Sequence, residues 1–397
     1  MLSLFQQGFE AVFSLQIFGL VFFGTVVGII FGAIPGLTAT MAVALFLPIT
    51  YSLGAAAGIS LLVALYIGGT SGGLISAILL KIPGTPASVA TTFDGGPLMM
   101  KGEGVKALGV GVVFSFIGTM LSIAALVFIA PTLAKMALSF GPHEYFAIAI
   151  FSLTLIITLA SGSMVKGIFS GVVGFAFSTV GIAPVDAITR FTLGYTELNG
   201  GFDVLIVLIG LFAISEVIKV AEDVKHEESA TIMQVSMKGI KGFGFSIAEF
   251  IGQGWNCIRS ALIGIGIGIL PGIGAGTSNI VAYIVAKKQS KYPEKFGTGV
   301  IDGVVASETA NNACIGGAMI PLLTLGIPGD AVTAVMLGGF MIHGIQPGPL
   351  MFTTQGALVY TIFAALILST IMMLVCEFYG MRIFVKLLAI PKHIRSE

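Results

Sequence analysis

Charge is what this sequence has least of. Only 10% of its 397 residues are Asp, Glu, Lys or Arg, against about 25% in an ordinary soluble domain, and the mean hydropathy is +1.04. A chain this poor in charge cannot cover a water-facing surface. That excludes a soluble globular protein and points to an all-α polytopic protein embedded in membrane lipid. Acidic and basic residues balance at 19 each, and no basic cluster recommends a nucleic-acid partner. Cys257, Cys314 and Cys376 are scattered without metal-like spacing and read as small buried thiols. No Lys or Arg precedes Lys81, so the basic lead of a cleavable signal is missing and the first apolar helix is expected to direct insertion.

What is present is apolar sequence punctuated by glycine and proline. Hydrophobic residues make up 56% of the chain and glycines number 54. Runs near the ~18 residues that cross a bilayer are expected at 11–34, 55–80, 108–130, 146–159, 167–182, 204–220, 261–286, 313–325 and 358–375, after a short polar lead at 1–10. Much of the glycine is expected to let helices approach closely.

The segment 79–102, LLKIPGTPASVATTFDGGPLMMKG, cannot continue a membrane helix. Pro83 and Pro86 remove amide donors, and Gly84 lowers helix stability. Broken backbone at membrane depth survives where protein or a water-filled cavity satisfies its polar groups. A second version, GIPGD, stands at 326–330. GAIPGL at 32–37 is mirrored by GILPGI at 268–273. Gly73 precedes Pro83 much as Gly317 precedes Pro328, and Gly95-Gly96 before Lys101-Gly102 resembles Gly338-Gly339 before His343-Gly344. Paired interruptions of this kind point to two related repeats, inverted, with re-entrant or broken helices meeting near the midplane at a transporter's binding site. Three regions follow: a first membrane half at 1–218, a polar loop with an interfacial helix at 219–259, and a second membrane half at 260–397.

The polar interval carries Glu222, Asp223, Lys225, Glu227, Glu228, Lys238 and Lys241, and the connection at 184–201 carries Asp186, Arg190 and Glu197, with Asp203 just beyond. The basic content of 219–259, 287–295 and 382–395 places all three on the cytoplasmic side. The stretch 261–286 must then enter and leave one face as a re-entrant hairpin, a single kinked helix being the alternative.

Each break exposes a helix N-terminus, whose free amides and positive dipole end suit carboxylates. The expected substrate-binding positions are Gly36, Thr38 and Thr40 after Pro35; Gly84, Thr85, Pro86 and Ser88 after Pro83; Gly272, Thr277, Ser278 and Asn279 after Pro271; Asn311 and Asn312; and Gly329 after Pro328. The plain alternative is that each is a kink. Unwound carbonyls near Pro83 and Pro328 would suit Na⁺. Glu308, with Asn311 and Asn312, leads into a membrane helix and is expected in the site or its ion-coupling network. The competing reading makes Glu308 part of a helix cap by Ser307 or Thr309. Asp330 is also a coupling candidate, although Asp94 and Asp330 both fit plain turns. His143 and His343 are expected at helix ends.

Gly69-Thr-Ser-Gly-Gly73 matches G-x-S-x-G, so an intramembrane serine hydrolase using Ser71 is the alternative in another class. It requires a base within reach of the hydroxyl, and a Gly-rich chain produces such strings cheaply. A passive anion channel is a third reading.

The long motifs, GAIPGL at 32–37, ILLKIPGTPASVATTFDGGPLMMKGEGVKALG at 78–109, ILPGIGAGTS at 269–278 and ASETANNACIGGAMIPLLTLGIPGDAVTAVMLGGFMIHGIQPGPLMF at 306–352, resemble the large membrane subunit of the bacterial tripartite tricarboxylate transporters. The resemblance implies a multi-pass protein of the bacterial inner membrane. It implies symport of citrate-like or other small carboxylates with Na⁺ or H⁺, without a further cofactor and without enzymatic activity. Its implied partners are a periplasmic solute-binding protein and a small membrane subunit. The family's signature residues fall on Pro83, Gly84, Thr85, Pro86, Asn311, Asn312, Pro328 and Gly329. Lys81 stands where the family pattern leads one to expect a neutral polar residue, with an altered charge preference as the implied result. The family usually continues through further hydrophobic helices where this sequence ends, so a truncated product or a distinct short form is expected.

Overall fold

The computed structural model describes residues 2–159, 163–183, 188–202, 206–207, 209–214, 218 and 242–388. Asp186, Asp203 and the expected loop charges from Glu222 to Lys241 lie outside the described residues, as does the basic tail at 389–397.

The first half contains α1 (Leu2–Val12), α2 (Leu15–Ala33), α3 (Ala39–Thr50), α4 (Ala55–Leu79), a 3₁₀ turn (Pro86–Ser88), α5 (Thr91–Met100), α6 (Gly104–Ala137), α7 (Pro142–Leu159) and α8 (Met164–Ser178). A two-stranded antiparallel ribbon, β1 (Gly181–Ile182) with β2 (Thr189–Arg190), interrupts the helical pattern. Then come α9 (Ile247–Gly252), α10 (Gly254–Ile269), α11 (Gly274–Gln289), α12 (Ile301–Leu325), α13 (Ala331–Ile342), α14 (Met351–Thr354) and α15 (Gly356–Leu388). Among the described residues, four stretches are long and apolar enough to cross a membrane: Leu15–Ala33, Ala55–Leu79, Gly104–Ala137 and Gly356–Gly380. The chain is an all-α polytopic membrane protein.

Helix ends follow local chemistry. Ser14 starts α2 by accepting the Ile17 amide at 3.4 Å. Pro35 stops it, because the residue before a proline is driven out of helical geometry, and Ile34 is extended with ψ 115°. Gly326, at φ 71°, closes α12 in the left-handed conformation that glycine adopts without strain, and Pro328 prevents resumption.

Two expectations are corrected here. Residues 2–10 are more than a short polar lead. Phe5, Phe9 and Val12 fall at helical spacing, and α1 packs on α15 with the Phe5 ring edge-on to Tyr360 at 4.8 Å. The run 11–34 is likewise not one helix, since α1 ends before Ser14 begins α2.

The core is built on α4 and α12. Both are buried over almost their whole length, from Ala57 to Leu79 and from Gly303 to Thr324. Backbone contact makes this close packing work. A Cβ at Gly28 would come within 2.6 Å of the Leu65 carbonyl, and one at Gly72 within 2.4 Å of the Ile29 carbonyl, so α2 and α4 touch through glycine faces. On the other side, a Cβ at Gly264 would come within 2.2 Å of the Ala310 carbonyl, seating α10 on α12 in the same way. Small residues serve this purpose in membranes, where apolar burial alone gives helices no reason to associate. Outside this pair, α15 packs on α4 and α6 on α12. The arms α10 and α11 also pack on each other, as do α2 and α3. Exposed phenylalanines cover α7 and α8, such as Phe146 and Phe169.

Candidate functional site

A hollow of about 280 Å³ opens where all four breaks end. Its lining comes from the start of α3 (Thr38, Ala39, Thr40), the 3₁₀ turn (Thr85, Pro86, Ala87), the start of α11 (Gly272 to Thr277) and the start of α13 (Asp330, Ala331, Val332), with Tyr66 and Thr70 of α4. Four helical N-termini therefore face one space. Each helix leaves its first amides without a partner inside its own ladder.

Caps fix these ends in place. Thr38 Oγ1 accepts the Met41 amide at 3.1 Å. Asp330 Oδ1 accepts the Thr333 amide at 2.8 Å, and Thr333 Oγ1 returns the favour to the Asp330 amide at 2.9 Å. Asp330 Oδ2 accepts the hydroxyl of Tyr66 across from α4. Thr85 occupies the capping position over Ser88, but the Ser88 amide goes to the Thr85 carbonyl at 3.0 Å. Thr85 lines the hollow, and its Oγ1 is left buried with no hydrogen-bond partner, beside Gly73 of α4.

Of the expected substrate positions, Thr38, Thr40, Thr85, Pro86, Gly272 and Thr277 line this space, as does the coupling candidate Asp330. Gly36 forms the turn before α3 at φ 91°. Gly84 is wedged against the Gly32 carbonyl, and Gly329 against the Gly268 carbonyl. The Gly329 carbonyl accepts the Gly272 amide at 2.9 Å, tying two breaks together. Ser88 Oγ turns back to the Thr85 carbonyl at 3.0 Å.

Ser278 and Asn279 do not line the hollow. The helix starts at Gly274 rather than at these residues, which puts them one turn in and facing α12 and the 3₁₀ turn. Ser278 donates to the Ala310 carbonyl at 3.2 Å, and Asn279 Nδ2 to the Ala87 carbonyl. Asn311 Nδ2 donates to the same carbonyl at 2.8 Å. So these asparagines hold the first-half break from behind.

Glu308 is not near a helix cap. It lies fully buried in mid-α12, and its carboxylate accepts from the hydroxyls of Thr91 and Ser115 (the latter at 3.0 Å) and from Asn311 Nδ2 at 3.3 Å. Asn312 Nδ2 joins through Ser115 Oγ at 2.9 Å. This network backs the hollow without lining it. Asp94 is no exposed turn residue either. It is buried inside α5, and its Oδ1 gathers the amides of Gly297, Gly299 and Val300 at 2.9, 2.8 and 3.0 Å while Tyr283 donates to Oδ2 at 2.9 Å. Lys81 does not reach the hollow; it is exposed, with φ 58°. His343 follows α13, as expected of a helix-end residue, and His143 lies in the first turn of α7.

The sequence reading missed Tyr66, Thr70, Thr91 and Ser115. Tyr66 carried a signal: a lone phenol immediately ahead of Gly68-Gly69 in an otherwise apolar helix. Glu377 was missed because the last apolar run was ended at Val375. Ser71 Oγ donates to Glu377 Oε2 at 2.9 Å and is fully buried, turned away from the hollow that its neighbour Thr70 lines.

A polytopic α-helical protein whose interrupted helices aim at one internal hollow has the construction of a membrane transporter. Residues 18–395 match the Tripartite tricarboxylate transporter TctA family, and the chain belongs to it. It is 34% identical over 370 residues to an uncharacterized 52.8 kDa protein of Agrobacterium vitis encoded in the TAR-I ttuC' 3' region, which covers 93% of this chain and 72% of the relative. A second Agrobacterium vitis protein, uncharacterized and from the TAR-II ttuC' 3' region, is 41% identical over 125 residues, 32% of this chain and 52% of its own length. No solved structure matches the chain.

Proposed function

We propose that this protein is the membrane subunit of a cation-coupled secondary transporter that imports a tricarboxylate or related small carboxylate across the bacterial inner membrane. A periplasmic binding protein delivers the substrate, and a small membrane subunit completes the complex, as the family implies. The observation that carries this reading is the convergence of four helical N-termini on one hollow, walled by Thr38, Thr40, Thr85 and Thr277. Uncommitted first-turn amides and hydroxyls give an anion donors without a fixed cation. The unpartnered Thr85 Oγ1 is one such donor.

Among the described residues Asp330 is the only charged side chain on the wall, and it would repel a carboxylate left uncompensated. Its charge is already shared among the first turn of α13, the Thr333 hydroxyl at 2.7 Å and the Tyr66 hydroxyl. What remains of its lone pairs suits a substrate hydroxyl or a coupling cation, so a hydroxy-carboxylate fits better than a simple one. Were Na⁺ the coupling ion, carbonyls at the unwound stretches beside Pro83 and Pro328 would complete its shell. Two related, inverted repeats account for the reciprocal reach of α4 to Asp330 and of α12 to Ala87.

The test is uptake of labelled citrate and tartrate by proteoliposomes holding the complex and its binding protein, with Na⁺ and pH gradients imposed separately. Saturable uptake that follows one gradient is expected. Thr85→Val should raise the half-saturating concentration by about tenfold, as loss of one buried hydrogen bond to a charged group would. Unsaturable flux indifferent to both gradients would make the protein a channel and sink the reading.

A further inference from the structure

The fold contains a second buried carboxylate that the hollow does not use. Glu377 of α15 is 1% exposed. Its Oε2 takes the Ser71 hydroxyl at 2.9 Å, and its Oε1 has no partner. Glu308, equally buried, is satisfied by Thr91, Ser115 and Asn311 across both oxygens. An ionised carboxylate accepts at both oxygens, and an uncompensated one out of water is costly, so that it takes up a proton instead. Glu377 has the surroundings of the neutral acid, whereas Glu308 has donors on both oxygens.

The elements packed against α15 supply no countercharge among the described residues. Tyr66 of α4 is engaged by Asp330. Lys106 of α6 is held by Glu103 at 3.5 Å and Glu249 at 2.6 Å, and Lys135 stands in the last turn of that 34-residue helix, at the end away from Lys106. Glu10 of α1 is exposed beside Gln6, and α2 carries no titratable group. Cys376 adjoins Glu377 on its own helix. A small shell of one hydroxyl and one carboxyl is also wrong for a metal ion, since even Na⁺ and Ca²⁺ want several oxygens.

We propose that Glu377 and Ser71 form a proton-binding site, and that this proton is the coupling ion. In the loaded state Oε1 carries the proton while Oε2 accepts from Ser71; release leaves the carboxylate and a free proton. The site meets the hollow through α4. Thr70 faces the hollow and Ser71 faces Glu377, so a shift of one helix alters both. The coupling role rests on the transport reading, whereas the protonation itself does not.

Infrared difference spectroscopy of the reconstituted full chain tests protonation without substrate. At pH 7 the wild type should show a protonated-carboxyl band that shifts in D₂O, disappears in Glu377→Gln and moves in Ser71→Ala. A band untouched by Glu377→Gln overturns the proposal. In proteoliposomes with citrate as probe, Glu377→Gln should keep citrate exchange but lose pH-driven accumulation by about tenfold or more, the range of ordinary coupling between sites. Loss of exchange as well, in a variant that still elutes as folded protein, overturns the coupling role, and so does wild-type uptake indifferent to the pH gradient. Should the band behave as expected while no carboxylate is transported, the transport reading fails and the proton site stands.

Discussion

Gly84 shows why the break in the first half tolerates one residue type. A Cβ there would lie 2.1 Å from the Gly32 carbonyl and 2.5 Å from Ser76 Oγ, so the backbone itself must move. Gly84→Ala should destabilise the detergent-solubilised protein by about 1–3 kcal/mol, the usual cost of overpacking, seen as a lowered midpoint of thermal unfolding. Gly19→Ala, where nothing lies within 4 Å, is the matched control and should leave the midpoint unchanged. The sequence made this residue legible as a helix breaker, because proline and glycine announce themselves locally. It could not show that Gly84 fills a crevice instead of facing the hollow. That depends on Gly32, 52 positions earlier in the chain. Glu308 was visible as an acid in apolar surroundings for the same local reason, while Thr91 and Ser115 became its partners only through folding.

Breaks were readable as elements, but the devices that hold them were not. The Ala87 carbonyl accepts from Asn311 at 2.8 Å and from Asn279, so two helices of the second half grip one carbonyl of the first. Either asparagine alone keeps the carbonyl satisfied. Asn279→Ala with Asn311→Ala should therefore cost about 1–2 kcal/mol more than the sum of the single changes, the penalty of one buried orphan acceptor shared by neighbouring residues. Additive losses in denaturant titrations would mean that water from the hollow replaces both donors.

A second element-level contact lies at the end of a span, where Glu249 of α9, itself outside the spans, meets Lys106 in the first turn of α6 at 2.6 Å and caps its own helix through Ser246. The Lys106 hydrogen bond first, then those from Ser246, hold the Glu249 carboxyl down from 4.5 to about 2. A depressed folded-state value stabilises fully above the unfolded value of 4.5 and is lost as pH falls toward 2. The pair is partly exposed, so the effect is about 1 kcal/mol or less and local to α9. Trp255, the single tryptophan and 69% exposed at the start of α10, reports it. Its emission should change as pH falls from 4.5 toward 2 in the wild type and stay flat in Glu249→Gln.

In the whole molecule, α3 and α11 bring their starting turns to one hollow from opposite halves of the chain, and the central helices α4 and α12 cross-brace the breaks between them. Transport by alternating access requires these parts to separate and rejoin. Thr38 and Thr277 lie on that wall, one from each hairpin. Cysteines placed at both positions, with Cys376 changed to Ala and Cys257 and Cys314 left buried, should be bridged by a short bifunctional thiol reagent in native vesicles. The bridged protein should retain citrate binding and lose citrate exchange, and cleavage of the bridge by reductant should restore exchange. Either single cysteine treated alone loses one wall hydroxyl and should exchange at a reduced but measurable rate, against complete loss in the bridged protein, which separates restraint from loss of one contact. A bridge that forms without slowing exchange would mean the hairpin ends stay together throughout the cycle, leaving α4 and α12 as the moving parts. Failure of the bridge to form at any reagent length that fits a 280 Å³ space would mean the four N-termini do not share one hollow in the membrane, and the carboxylate site would have to be sought elsewhere.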